Sequence, residues 1–209
     1  MKTIIFDFDG TIADSFEVVV SIVHEIIHRD HQVTPKEIEM LRQTKLIDIA
    51  RREHVPIWRL PFMLMRGRRL MTKRIDEVNP VNGMASVIKQ LYSDGYRLLI
   101  MSSNSSSNIK KFLRKHDLNQ YFVKIYAGVG LFGKSRVLKR ILRINRLAVN
   151  ECIYIGDETR DIQATSEVGM QCISVNWGFN SDELLRKLHP LAVISKPEEL
   201  INIIKTKTN

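Results

Sequence analysis

Short apolar runs alternate with amphipathic segments along most of the chain, and this alternation predicts the architecture. The runs typical of strands are residues 2–8, 96–101, 123–127, 152–155, 171–175 and 191–194. The segments with apolar residues at helical spacing are 84–91, 109–116, 135–144, 161–168, 182–188 and 197–204. Strands that alternate with helices fold into a parallel sheet with helices on both faces. We therefore predict a doubly wound α/β core.

The alternation fails between residues 14 and 79, where the pattern is helical throughout. Apolar residues there first recur at the spacing of one helix face: Phe16, Val19, Val20, Val23, Ile26 and Ile27. A second helix is predicted at Thr34, because Pro35 and Glu37 follow it as a first-turn proline and a capping-box acid. We predict an all-helical unit over 14–79, inserted into a core that spans 1–13 and 80–209.

Composition places the chain among ordinary soluble globular proteins. Its 209 residues are 44% hydrophobic and 26% charged, which allows one core domain with a modest insertion. No apolar run is long enough to span a membrane, and the N-terminus lacks the pattern of a signal peptide. Cys152 and Cys172 lie in apolar runs and are expected to be buried thiols. We expect a cytoplasmic protein without a membrane partner.

The net charge of +9 favours anionic partners without naming them. Part of the excess is concentrated between residues 51 and 74. The basic residues there are Arg51, Arg52, Arg59, Arg66, Arg68, Arg69, Lys73 and Arg74, against the single acid Glu53. A solvated helix face is the favoured interpretation, and a nucleic-acid surface is the alternative.

The first strand-like run ends in two acids, Asp7 and Asp9, followed by Gly10. Side chains two residues apart on a strand share a face, so both carboxylates are expected over one spot at the carboxyl end of the strand. Two anions that close repel each other unless a hard cation such as Mg2+ lies between them. Taken alone, the motif also fits a simple turn, because Asp and Gly are turn formers.

Polar residues follow two further strand-like runs and precede one helix. Ser103 and Asn104 stand where a helix begins, a position that binds phosphate or merely caps the helix. Lys134 stands just before residues 135–144, where it either neutralises a phosphate or is simply exposed. Asp157 and Asp161 are one helical turn apart and can face the same place. Asp157 is therefore a candidate to complete the oxygen shell of a metal.

Taken in order, these motifs resemble the four motifs of the haloacid dehalogenase-like hydrolases. They are Asp7-Phe8-Asp9-Gly10-Thr11, Ser103-Asn104, Lys134, and Gly156-Asp157 with Asp161. The helical insertion resembles the α-helical cap of that superfamily. Two later segments resemble the phosphoglycolate-phosphatase-like branch: Val175-Asn176-Trp177-Gly178-Phe179-Asn180 and Pro197-Glu198-Glu199-Leu200. The resemblance implies a hydrolase with a Rossmann-like core.

The resemblance also implies a role for each acid. Asp7 would attack phosphorus and form an aspartyl-phosphate, while Asp9 would protonate the leaving oxygen and later activate water. Mg2+ would be held by Asp7, the backbone carbonyl of Asp9 and Asp157. Because the dehalogenases of the superfamily lack the acid at the position of Asp9, a phosphate-handling member is implied.

The remaining motif residues would bind and order the phosphoryl group. By the same resemblance, Ser103, the N–H of Asn104 and Lys134 would contact its oxygens, and Asp161 would orient Lys134 or the waters on the metal. The implied substrate is a small phosphorylated metabolite, with phosphoglycolate as the family default. A mutase of the same family, which passes the phosphoryl group from Asp7 to a sugar, stays open as an alternative.

Two other patterns compete for parts of the chain. Residues 128–135 fit a nucleotide-binding loop, with Asp157 as its second acid, but that interpretation leaves Asp7 and the insertion unexplained. Residues 24–28 fit the zinc-protease pattern His-Glu-x-x-His, yet no third ligand stands at a recognisable spacing. We interpret His24 and His28 as ordinary helix residues, and we keep a nucleotide- or nucleic-acid-binding protein as the less favoured alternative.

Overall fold

One parallel sheet forms the centre of the protein, whose computed structural model describes residues 2–26, 34–44, 51, 55–130 and 133–208. Six strands lie in the order β3-β2-β1-β4-β5-β6, which confirms the doubly wound sheet. The strands are β1 (Thr3–Phe6), β2 (Arg97–Met101), β3 (Phe122–Tyr126), β4 (Cys152–Gly156), β5 (Gln171–Val175) and β6 (Ala192–Ile194). The predicted runs differ from these strands only at their ends. The first predicted run extends to Phe8, whereas β1 ends at Phe6, before Asp7.

Helices flank every strand in the described part of the chain. The segment between β1 and β2 contains α1 (Phe16–Ile26), α2 (Pro35–Arg42), α3 (Leu60–Arg74) and α4 (Met84–Ser93). The later helices are α5 (Ser106–Lys115), α6 (Lys134–Asn145), α7 (Thr159–Ser166), α8 (Asp182–Arg186) and α9 (Glu199–Thr208). None of these described helices combines the length and the apolarity needed to cross a membrane.

The strand residues alternate between two hydrophobic layers, one on each face of the sheet. Ile4 and Phe6 of β1 pack into the layer covered by α4, α5 and α9. Ile5 packs into the opposite layer, which α6, α7 and α8 cover. Cys152 and Cys172 lie in this second layer as buried free thiols, as expected. Because both faces are covered, the open surface nearest the strands is at their ends.

The insertion leaves the core and returns to it at one place. The Asp14 N–H donates to the Asn79 carbonyl at 2.9 Å, and Ala13 and Pro80 form an antiparallel bridge. These pairs lie at the predicted ends of the helical unit.

Buried residues of the insertion belong to the same hydrophobic layer as the core. Ile22 of α1 and Met71 of α3 are in one cluster with Phe8 and Ile12. At the start of α2, the Glu37 carboxylate accepts from the Thr34 N–H at 2.9 Å, as the capping-box pattern predicts. Ile27 of the predicted packing face lies outside the described residues. The described part of the insertion is therefore seated on the sheet rather than detached from it.

A pair of aromatic rings anchors the segment that follows β1. Phe8 stands between Asp7 and Asp9 in the chain and is fully buried. Its ring packs edge to face on Phe112 of α5, with the ring centroids 5.0 Å apart. Pairs of this geometry add to the free energy of burying the two rings. The position of both acids therefore depends on apolar packing.

We predict that Phe112→Ala lowers the free energy of unfolding by about 3–5 kcal/mol, because it opens a cavity beneath Phe8. Urea denaturation followed by circular dichroism measures the loss. Phe62→Ala is the matched control, since Phe62 on α3 is 63% exposed. Its expected change is under about 0.5 kcal/mol. Equal losses in the two variants would contradict the proposed anchor.

Candidate active site

The predicted strand-end motifs meet beside β1, where the order of the strands in the sheet reverses. From β1 the chain builds β2 and β3 on one side, and β4, β5 and β6 lie on the other. In open α/β sheets, ligands bind in the crevice beyond the carboxyl ends of strands at such a switch point. The ends of β1 and β4 therefore mark the candidate site.

Lys134 is the buried cation at this crevice. It is the first residue of α6 and is 3% exposed. Its amine donates to the carboxylates of Asp7 and Asp161, both of which are buried. A buried charge needs such partners, because removal from water is costly. The alternative of a simply exposed lysine is therefore wrong.

The Asp157 carboxylate is enclosed by two segments of the chain. The Thr11 hydroxyl donates to one oxygen at 2.8 Å, and the Phe179 N–H donates to the other at 2.7 Å. Gly10, with a φ of 73°, and Gly178 lie so close that a Cβ on either would overlap this carboxylate. The motifs containing these residues were noted in the sequence, but their contacts with Asp157 were not foreseen.

The Asp9 carboxylate has different neighbours from Asp7. It accepts from the Ser15 hydroxyl at 3.1 Å and from the Asn104 amide at 3.1 and 3.0 Å. The alternation rule that placed Asp7 and Asp9 over one spot does not apply, because β1 ends at Phe6. Asp9 is therefore held from the side of β2, whereas Asp7 faces Lys134.

Three buried carboxylates form a group that fits a metal ion. Asp7, Asp157 and Asp161 each offer an oxygen, and these oxygens lie within 4.8 Å of one another. Buried carboxylate oxygens are the ligands that hard cations such as Mg2+ prefer. Asp161 belongs to this group, although the sequence resemblance implies only that it orients Lys134 or the waters on the metal. The Asp9 side chain does not belong to it, which agrees with the expectation that Asp9 binds metal through its backbone carbonyl.

Burial is the main cause of the shifted pKa values of the acids at the site. Burial raises the pKa of Asp7 to about 7, although Lys134 acts in the opposite direction. Burial, with the nearby charges of Glu158 and Asp7, raises the pKa of Asp157 well above its usual range. Burial lowers the pKa of Lys134, but Asp161 and Asp7 together raise it above its ordinary value. An added cation would favour the ionised carboxylates.

Asp9 is placed to exchange a proton near neutral pH. Burial raises the pKa of Asp9 to about 6, while hydrogen bonds from Asn104 and Ser15 act to lower it. A carboxyl group with such a pKa both donates and accepts protons at moderate cost, as a general acid and base must.

In the loop after β2, one backbone N–H that was expected to bind phosphate has a different partner. The Asn104 N–H, expected to bind phosphate, donates to the Ser102 hydroxyl at 3.0 Å. Ser103 is partly buried, and its carbonyl accepts from Arg68 Nε at 2.9 Å. Arg68 of the basic stretch thus reaches this loop, whereas Arg74 pairs with Glu77. Exposed basic residues of the stretch are Arg51, Arg59, Arg66, Arg69 and Lys73. Arg52 and Glu53 lie outside the described residues.

The competing patterns fall partly outside the described residues. Residues 131–132 of the glycine-rich loop are not described, but the lysine of that pattern is Lys134, which contacts Asp7 and Asp161. His24 lies on α1, and His28 is outside the described residues. The lysine is therefore part of the carboxylate site.

Known proteins resemble this chain over nearly its whole length. The family model described as haloacid dehalogenase-like hydrolase matches residues 4–175. A phosphoglycolate phosphatase of Synechococcus elongatus is 32% identical over 206 residues, covering 98% of this chain and 97% of that protein. A 5'-nucleotidase of Pseudomonas aeruginosa is 28% identical, with 90% and 88% covered. A solved haloacid dehalogenase-like family hydrolase from Streptococcus pneumoniae has a TM-score of 0.79 at 20% identity, with 98% of each chain covered, a likeness of fold.

We predict that the protein releases more protons per bound Mg2+ at about pH 6 than at about pH 8. The sign follows from the pKa of Asp7, about 7 without metal, because the cation binds the ionised carboxylate. Isothermal titration calorimetry in buffers of different ionisation enthalpy measures the released protons.

Asp157→Asn should weaken this Mg2+ binding at least about tenfold, since it removes a ligand charge. Asp94→Asn is the matched control, because Asp94 pairs with Lys205 at the surface and should leave binding unchanged. Equal Mg2+ affinity of the Asp157 variant and the unaltered protein would exclude the metal site.

Proposed function

This chain belongs to the haloacid dehalogenase-like hydrolase family, and we propose that it hydrolyses phosphomonoesters of small metabolites with the help of Mg2+. The observation that carries the proposal is the buried amine of Lys134, held between the carboxylates of Asp7 and Asp161. A cation fixed beside a candidate nucleophile suits a reaction that depends on positioning and charge neutralisation, as phosphoryl transfer does.

In the first step, an Asp7 carboxylate oxygen attacks phosphorus. A bond forms between that oxygen and phosphorus, and the ester bond to the leaving oxygen breaks. Asp9 gives its proton to the leaving oxygen, which departs as an alcohol. The raised pKa of Asp9, about 6, supports this role because the acid keeps a proton in part of the molecules near neutral pH.

In the second step, water releases the phosphate. Asp9, now ionised, takes a proton from the water as its oxygen attacks phosphorus. The bond between phosphorus and Asp7 breaks, phosphate leaves, and both acids return to their starting forms. Splitting the hydrolysis through a covalent intermediate replaces one difficult step with two easier ones.

Cationic and polar groups would hold the phosphoryl oxygens during both steps. Lys134 supplies a positive charge, and the Ser103 hydroxyl supplies a donor. Asp161 keeps the Lys134 amine beside Asp7. Asp7, the backbone carbonyl of Asp9 and Asp157 would hold Mg2+. When bound, this ion supplies further positive charge for the phosphoryl group.

We assign residues 14–79 to a cap domain, with 1–13 and 80–209 as the catalytic core. Two observations support these bounds: the insertion begins and ends at the paired residues Asp14 and Asn79, and Arg68 reaches the loop after β2. A cap seated over a site excludes water and selects the substrate.

Phosphoglycolate is the first substrate we propose, because a relative 32% identical over nearly the whole chain is a phosphoglycolate phosphatase. Nucleoside 5'-monophosphates come second, since a more distant relative is a 5'-nucleotidase. Both are phosphomonoesters, so the same chemistry at Asp7 and Asp9 serves either compound.

We predict that Asp7→Asn lowers turnover of para-nitrophenyl phosphate with Mg2+ at least about a thousandfold, because an amide cannot form the intermediate. Release of para-nitrophenolate measures turnover, and circular dichroism checks the fold. Asp94→Asn serves as the surface control and should keep full activity. Activity of the Asp7 variant within about tenfold of the unaltered protein would remove Asp7 as the nucleophile.

A panel of phosphorylated compounds tests the substrate class. We expect release of inorganic phosphate from phosphoglycolate or a nucleoside monophosphate, with kcat/KM at least about tenfold above para-nitrophenyl phosphate, because the cap contacts add binding. Isomerised hexose phosphate without net phosphate release would instead establish the mutase. Tight Mg2+-ATP binding that survives Asp7→Asn but not Lys134→Ala would favour the nucleotide loop.

A further inference from the structure

A chain of side-chain contacts connects the inserted helix α3 with Asp9. Thr72 Oγ1 of α3 lies 2.8 Å from Asn108 Oδ1. Asn108 Nδ2 donates to Asn104 Oδ1 at 2.9 Å. The Asn104 amide then donates to both oxygens of Asp9, at 3.1 and 3.0 Å. The two asparagines thus join the insertion to an acid of the site.

The contacts fix which end of each amide faces its neighbour. Asn104 Oδ1 accepts from the Ser105 N–H at 2.8 Å as well as from Asn108. The NH2 end of Asn104 is therefore directed at Asp9. Asn108 is oriented in turn by α3, because its Oδ1 faces Thr72 and its Nδ2 also reaches the Arg68 carbonyl at 3.4 Å.

Helix capping does not account for these two amides. The Ser105 hydroxyl already caps α5, since it accepts from the Asn108 N–H at 3.2 Å. Asn108 is 1% exposed and Asn104 is 5% exposed. Burying polar groups costs free energy, which their hydrogen bonds offset only when every partner is in place. The Asn108 amide has its α3 partners, Thr72 and the Arg68 carbonyl, only while α3 is seated against α5.

We propose that Asn108 is a positioning residue, which holds the Asn104 amide against Asp9 and makes the orientation of Asp9 depend on the seating of α3. This inference rests on the proposed role of Asp9 as the acid that protonates the leaving oxygen. Proton delivery would then be efficient only while α3 is in place. Arg68, which binds the Ser103 carbonyl, holds the same helix to the same loop.

The test compares two aryl phosphates that differ in their need for an acid. The leaving group of para-nitrophenyl phosphate departs without protonation, whereas that of phenyl phosphate needs a proton. Asn108→Ala should lower kcat/KM for phenyl phosphate at least about tenfold, but for para-nitrophenyl phosphate less than about threefold. A merely structural role would lower both values equally.

Variants of Thr72 test the same chain without a buried cavity. Thr72→Val should produce the same selective loss of kcat/KM for phenyl phosphate on a smaller scale. Thr72→Ser keeps the hydroxyl and should retain the kcat/KM values of the unaltered protein for both substrates. Thr72 Oγ1 lies 2.8 Å from the Arg68 carbonyl of its own helix as well as from Asn108. Thr206→Val is the matched control, because Thr206 Oγ1 likewise donates to a carbonyl of its own helix, that of Asn202 at 2.8 Å. This variant should leave kcat/KM unchanged for both substrates.

Asp9→Asn separates the two levels of the claim. It should show the largest selective loss on phenyl phosphate. Suppose that it does, but that Asn108→Ala lowers kcat/KM for both substrates equally or for neither. The inference about Asn108 is then wrong, and the proposed function stands. If Asp9→Asn shows no selectivity, the proposed acid role fails and the inference fails with it. Should Asn108→Ala not fold, an unselective Thr72→Val overturns the inference.

Discussion

The site depends on one buried ion-pair group, in which the Lys134 amine lies between the carboxylates of Asp7 and Asp161. Isolated buried charges are strongly unfavourable, so each member of the group requires the others. Asp157 adds a further buried carboxylate within reach of the same point. The carboxylates outnumber this buried amine, and burial, together with the repulsion between neighbouring carboxylates, raises the pKa values of Asp7 and Asp157. A divalent cation suits this excess of carboxylates, and with Lys134 it would offset the negative charge of an incoming phosphoryl group.

The fold supplies rigid supports for these charges. Phe8 anchors the segment after β1 against Phe112, so Asp7 and Asp9 project from a packed backbone. Thr11 and the Phe179 N–H hold Asp157. Hydrogen bonds and packing of this kind fix a side chain at no cost during the reaction, which is how preorganised sites stabilise charge.

Sequence reasoning succeeded where chemistry follows strand periodicity. The strand-like runs predicted the sheet, and the polar residues at their ends predicted a site at one edge, because parallel strands place their carboxyl ends together. Strand alternation does not apply to Asp7 and Asp9, because β1 ends at Phe6 and the backbone turns locally after it. The contact of Asn104 with Asp9 joins residues far apart in the chain, and one sequence contains no signal for such a pairing. The enclosure of Asp157 by Gly178 escaped prediction for the same reason.

A covalent bond between phosphorus and Asp7 is the central claim, and chemical trapping tests it most directly. Enzyme quenched in acid during turnover of its phosphate ester would be treated with borohydride, which reduces an aspartyl-phosphate to homoserine, and digested for mass spectrometry. The account predicts homoserine at position 7 in samples quenched with substrate present and none in samples without substrate. Steady release of phosphate with an unmodified Asp7, or modification at another carboxylate instead, would contradict it.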